Sequence, residues 1–246
     1  MKIVQSLLTL NPCYTAGRKI TVKGLMLHSV GCPQPSASVF IKNWNRGDYN
    51  KACVHAFIDA NTGTVYQTLP WEHRGWHGGG SSNNTHVGVE MCEPRCIKYT
   101  SGSTFTCSDM TAAREATERT YLAAVELFAM LCEKYSLDPL APGVILSHKE
   151  GHARGIASNH GDPEHLWAQL GMGYTMDAFR KAVKQEMGKD GLDNTPTEWS
   201  KEAVDWAVAE GLMAGDTNGN LMLRSPLTRE QFCVMLKRYH EKFHTA

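Results

Sequence analysis

No stretch of this 246-residue chain approaches the roughly 18–20 consecutive apolar residues that a bilayer-spanning helix needs, so a membrane partner is not indicated. Excess charge of either sign is also missing. Lys+Arg and Asp+Glu balance at 25 each, which removes the general attraction that nucleic acid or an anionic surface would exploit. The segment MKIVQSLLTLNPCYTAGRK lacks the uninterrupted apolar core of a secretory signal, because Gln5, Ser6 and Thr9 break it; it is expected to be mature protein. Nor do the eight cysteines form paired C-x2-C motifs. Their irregular spacing reads as free, partly buried thiols of a chain made in a reducing cytoplasm, the rival being a small metal or disulfide knot at Cys92, Cys96 and Cys107.

What is present is the composition of an ordinary globular protein, 42% apolar and 20% charged, long enough for one large domain and a small appendage. Residues 24–30, 86–92 and 143–149 are short apolar runs suited to buried strands, and 53–69 reads as a hairpin around Asn61-Thr62-Gly63. Apolar residues at helical spacing predict one long amphipathic helix over 109–135 and a second over 175–187, opened by Thr175. The alternation predicts an α/β class: a central mixed β-sheet flanked by helices, with a small C-terminal helical domain. Three segments are expected: a domain over 1–187, a linker over 188–197, and a helical segment over 198–246 with helices near 199–210 and 228–243.

Four of the eleven histidines fall in SHKEGHARGIASNHGDPEHLW, residues 147–167. Such a cluster raises a metal site, for which zinc needs about three N, S or O ligands and, in an enzyme, one open position. His28 and His148 both stand at the ends of apolar runs, where a buried sheet can aim imidazoles at one point. The His148-Lys-Glu-Gly-His152 segment is not a metalloprotease helix, since Lys149 stands where that motif has Glu and Gly151 interrupts the helical pattern.

The order of strand His28, hairpin, WHGGG, VGVE, SHKE and HGDPE resembles the type-2 family of zinc-dependent N-acetylmuramoyl-L-alanine amidases, relatives of phage lysozyme-amidases and peptidoglycan recognition proteins, across about residues 20–185. The resemblance implies one zinc per chain held by His28, His148 and Asp162. The family's gap between second and third ligands is shorter than the 14 residues here, so His160 is a rival for the third position. It implies Glu90 as the base that deprotonates the attacking water and reprotonates the leaving amine. His160 takes the place of a Lys that faces the developing oxyanion, and Trp76, His77 and Asn84 line a substrate groove. Where some relatives carry a Tyr this chain has Val54–His55, so His55 is expected to be structural.

The implied function is hydrolysis of the amide between N-acetylmuramic acid and L-alanine in peptidoglycan. The chain is expected to be made in the cytoplasm without a signal peptide and to reach the wall on release, in a phage or prophage endolysin or an autolysin. The alternatives are a muropeptide-binding protein without catalysis and an anhydromuropeptide-recycling amidase. The C-terminal W-x3-A-x2-WA…GLMAGDTNGN…SPLTREQF resembles one S-layer-homology repeat, which implies binding of a secondary cell-wall polymer or homo-oligomerisation. Asp216-x-Asn218-x-Asn220 is not a calcium loop, because Leu221 and Leu227 stand where Gly and Glu are required; it is expected to be a turn.

Overall fold

A computed structural model describes residues 1–190, 194–217 and 219–244, with the backbone alone over 188–190. It forms two compact units, Met1–Glu186 and Met187–Ala246. The first contains β1 (Ile3–Gln5), α1 (Pro12–Thr15), β2 (Gly24–Ser29), α2 (Ala37–Trp44), β3 (Ala56–Ile58) and β4 (Val65–Gln67). Next come β5 (His86–Met91), β6 (Ile97–Ser101), β7 (Thr104–Cys107), α3 (Met110–Lys134), β8 (Ile145–Ser147), α4 (His148–Ala153), α5 (Glu164–Gln169) and α6 (Met176–Asp190).

The main sheet has the order β1-β4-β3-β5-β2-β8. Only β3 and β4, the hairpin, run antiparallel; the other neighbours are parallel, so the sheet is mixed as expected. The strands β2 and β8 have no exposed residue, which is why they read as continuous apolar runs rather than alternating ones. Helices flank the sheet through aromatic contacts. Phe40 of α2 stacks on Phe57 of β3 at 5.0 Å, with Trp44 edge-on to the same ring at 4.9 Å. Phe179 of α6 meets Phe128 of α3 at 5.2 Å. Phe57, Phe128 and Phe179 are fully buried, and each contributes roughly 1.5–3 kcal/mol of apolar burial.

Two local features differ from the sequence expectation. His148 does not extend β8; it opens α4. The Ser147 hydroxyl accepts the Glu150 N–H while the Glu150 carboxylate accepts the Ser147 N–H, and this capping box starts the helix in spite of the Gly151 that was expected to interrupt it. The second helix runs on to Asp190, over residues expected to begin the linker; of that linker, residues 191–193 lie outside the described residues.

The second unit contains α7 (Lys201–Ala209) and α8 (Arg229–Phe243), the latter begun by a Thr228–Gln231 capping box. Trp206 stacks on Phe243, and among the described residues of this unit Ala207 and Leu212 are buried. Around Asp216 the chain forms a turn, in which the Gly219 N–H donates to the Asp216 carbonyl at 2.9 Å; Asn218 lies outside the described residues.

Candidate metal centre and substrate groove

Three residues far apart in sequence meet at the carboxyl ends of β2 and β8, the edge where parallel sheets place their sites. His28 is the penultimate residue of β2, His148 is the first residue of α4, and Asp162 lies in the turn before α5. His28 Nδ1 is 3.0 Å from His148 Nδ1 and 3.3 Å from Asp162 Oδ2, and His148 Nδ1 is 3.6 Å from Asp162 Oδ1. The Ser29 N–H also donates to Asp162 Oδ2, at 3.3 Å. All three side chains are buried, with ligand atoms within 4.8 Å of one another.

The hydrogen bonds behind His28 decide which of its nitrogens faces this point. His77 Nε2 lies 3.0 Å from the His86 carbonyl, which can only accept, so that nitrogen carries a proton. Burial and the neighbouring His28 hold His77 well below the ordinary imidazole range, so it is neutral and its Nδ1 is an acceptor. His28 Nε2, 3.0 Å from that Nδ1, must therefore donate. His28 Nδ1 is left facing His148 and Asp162, where it can hold either a proton or a metal ion. Positive charge is favoured there: burial opposes it, but the Asp162 hydrogen bond and the Glu90 charge hold His28 above its ordinary value. Two imidazole nitrogens and a carboxylate oxygen, converging in a buried site with one ring fixed from behind, fit a zinc-type ion.

Glu90 is paired with His28 in the parallel register of β5 and β2, so both side chains leave the same face of the sheet. Burial pushes its carboxyl up to about 8, against the opposing pull of His28. Its Oε2 is sealed from solvent and has no hydrogen-bond partner, which leaves an acceptor available beside the three converging residues. Gly88, two residues earlier, is dictated by His77: a Cβ there would lie 2.2 Å from the His77 ring.

The remaining expected residues divide. His160 is exposed and is not among the three converging donors; it lies on the far side of His148, its Nδ1 3.3 Å from His148 Nε2. Trp76 is 44% exposed and lines a cavity of about 450 Å³ with Arg74, Gly79, Gly80 and Asn83. His77 is not in that wall but buried behind His28, a correction that follows from the alternation of neighbouring side chains on an extended segment. Asn84 accepts from Arg74 Nε at 2.7 Å and so holds the arginine rather than lining the cavity itself. His55 is structural: its Nδ1 accepts from the Gly88 N–H at 2.9 Å and its Nε2 donates to the His73 carbonyl at 2.8 Å.

Sequence reading missed Asn83, whose Oδ1 accepts the N–H groups of His77 and Gly78, both at 2.9 Å. It also missed Ser158, which touches His148 and His160. A third omission is Glu93, fully buried, which accepts from Tyr99 while Tyr99 in turn meets His165 Nε2 at 2.7 Å. No periodicity marks them; Asn83 had as its only signal the Asn83–Asn84 doublet after a glycine run. All eight cysteines are free thiols.

A buried His–His–carboxylate group beside a glutamate oxygen without a hydrogen-bond partner, at the carboxyl edge of a mixed sheet, defines a hydrolase site able to hold a metal. Comparison with known families makes the class specific. The model of the N-acetylmuramoyl-L-alanine amidase family matches residues 17–165, and an S-layer homology domain model matches residues 192–233. The chain belongs to the N-acetylmuramoyl-L-alanine amidase family, enzymes that hydrolyse peptidoglycan. Its fold is similar to that of Staphylococcus aureus hydrolase AmiA in complex with its ligand, with TM-score 0.57 and 19% identity over 76% of this chain and 83% of that one. It is also similar to the catalytic domain of XlyA, with TM-score 0.51 and 19% identity over 74% and 99% of the two chains. A mutant endolysin from Bacillus subtilis gives TM-score 0.50 and 18% identity over 74% and 99%. Among curated proteins no sequence matches the chain. Among the described residues no helix is long and apolar enough to cross a membrane.

Proposed function

We propose that the first unit cleaves the amide joining N-acetylmuramic acid to L-alanine, with one zinc ion held by His28 Nδ1, His148 Nδ1 and Asp162. The observation that carries this reading is the convergence of those three donors beside the unpartnered Glu90 Oε2. Zinc bound there supplies a Lewis acid that withdraws charge from a carbonyl and lowers the pKa of water.

The chain's own residues do the rest. Glu90, whose Oε2 is sealed from solvent and has no hydrogen-bond partner, takes the proton of the attacking water and returns it to the departing alanine nitrogen. Its pKa near 8 is well matched to that exchange, and a cation nearby lowers it toward neutrality. His160, exposed beside His148, meets the His148 Nε2 on the side away from the converging Nδ1 donors, so it acts on the site through His148 rather than by facing the carbonyl oxygen. Trp76 provides an open aromatic face beside Gly79 and Gly80, where a glycan or stem peptide can lie close to the backbone.

For the second unit the reading is attachment to a secondary cell-wall polymer, supported by the S-layer homology match. Homo-oligomer formation through this segment is supported by exposed Phe232, Leu236 and Tyr239 on α8. His28→Ala is expected to abolish both metal binding and the release of alanine amino groups from walls. Wall release by His28→Ala equal to wild type would sink the proposal.

A further inference from the structure

We propose that Ser158, in the spacer between His148 and Asp162, is a positioning residue for the metal centre: its hydroxyl fixes the proton of His148 on Nε2 and ties that ring to the glycine loop after Trp76. The proposal rests on the metal-centre reading given above. The spacer is anchored to the glycine loop. The Ser158 N–H donates to the Gly78 carbonyl at 2.8 Å, and the Ser82 N–H donates to the Ile156 carbonyl at 3.0 Å. The glycine run is what lets the spacer come so close. A Cβ at Gly79, whose φ is +68°, would lie 2.6 Å from Ser158 Oγ, and one at Gly80 would lie 2.4 Å from the Ile156 carbonyl oxygen.

From this anchored position Ser158 Oγ reaches three groups. It is 3.1 Å from His148 Nε2, 3.3 Å from the Gly78 carbonyl oxygen and 3.0 Å from His160 Nδ1. The hydroxyl has one proton to donate and lone pairs to accept with. Its proton goes to the Gly78 carbonyl or to His160, which leaves the oxygen to accept from His148 Nε2–H. That bond completes the symmetry of the site. His28 is fixed from behind by His77, and His148 by Ser158, so both rings turn Nδ1 inward. For a metal-binding histidine, a hydrogen bond at the outer nitrogen sets tautomer and ring orientation, and its loss typically costs about 10–100-fold in affinity. His160 Nδ1, at 3.3 Å from His148 Nε2, is the only other described group within hydrogen-bond reach of that nitrogen.

The test uses the full chain as wild type, Ser158→Ala, Ser158→Thr and the Ser158→Ala/His160→Ala double variant. Zinc affinity is measured by competition with a chromogenic chelator. Ser158→Ala is expected to bind zinc about 10–100-fold more weakly, with the double variant at least as weak and Ser158→Thr, which keeps the hydroxyl, close to wild type. Long-range nitrogen–proton NMR spectra of the zinc-loaded wild type are expected to place the His148 proton on Nε2, shifted by a hydrogen bond that Ser158→Ala removes. A His148 Nε2 signal identical in wild type and Ser158→Ala overturns the proposal, as does undiminished zinc affinity in the double variant. If Ser158→Ala does not fold, the wild-type spectrum decides alone: a hydrogen-bonded Nε2–H supports the role, and its absence ends it. A wild-type chain that binds no zinc overturns the metal-centre reading itself. A wild type that binds zinc while the serine variants bind equally well overturns only the role of Ser158.

Discussion

At the scale of single residues, the site is organised by the question of which nitrogen of each histidine carries a proton. The His86 carbonyl fixes His77, and His77 fixes His28. His77→Phe therefore removes the bond that orients His28 and is expected to weaken zinc binding by about 10–100-fold while the chain stays folded, checked by chelator competition and circular dichroism. Glu90→Gln keeps shape but removes the base. It is expected to lower kcat on wall fragments by about 10²–10⁴-fold with zinc content unchanged. A Glu90→Gln protein with near wild-type kcat would place the base elsewhere.

At the scale of elements, the proposed ligand set is presented by the end of β2, the capped start of α4 and the turn before α5. Strand β2 aims His28 and its register partner β5 aims Glu90, so the separation of the proposed ligand and base is a property of strand pairing. The helices that hold this sheet do so through buried aromatics, and Phe179→Ala is expected to lower stability by about 3–5 kcal/mol in urea denaturation, leaving the ligand set intact. Much of this was legible in sequence. The hairpin over 53–69 and the long helix over 109–135 have strong periodicity or turn chemistry, and the structure places them at β3–β4 and α3. The short elements α1, α2, α5 and the β6–β7 hairpin were not legible, since four to eight residues give too few repeats for a period and their packing is decided by distant partners. For the same reason His77 was legible as a site residue but not as a buried one: adjacent Trp76 and His77 differ only in which way the chain turns them. The start of α4 at His148 depends on a capping box between Ser147 and Glu150, whereas the run 143–149, Ser147 included, reads as a strand.

At the scale of the whole molecule, several buried titratable groups make stability depend on pH. Glu90 and Glu93 are raised from the ordinary 4.5 to about 8 and about 7, both chiefly by burial. Folding must keep these groups protonated, so their contribution is fully present below about pH 4.5 and is lost as pH rises through 7–8. His55 and His148 move the other way, lowered from 6.5 to about 4 chiefly by burial; their contribution is present above pH 6.5 and is lost as pH falls toward 4. Chelator-treated protein is therefore expected to melt at a lower temperature at pH 8 than at pH 6, and Glu90→Gln is expected to flatten that drop. A cation beside Glu90 favours its charged form, so zinc is expected to raise the melting temperature more at pH 8 than at pH 6. Equal zinc stabilisation at both pH values would separate Glu90 from the metal.

The central claim, that His28, His148 and Asp162 hold the metal of a muramoyl-alanine amidase, is tested most directly by mass spectrometry of purified cell-wall digests made by wild type, chelator-treated wild type and His28→Ala. The account predicts glycan strands freed of peptide, and stem peptides with new L-alanine amino termini, from zinc-loaded wild type alone. The same products from the chelated protein or from His28→Ala, or cleavage at any other bond by wild type, would contradict it.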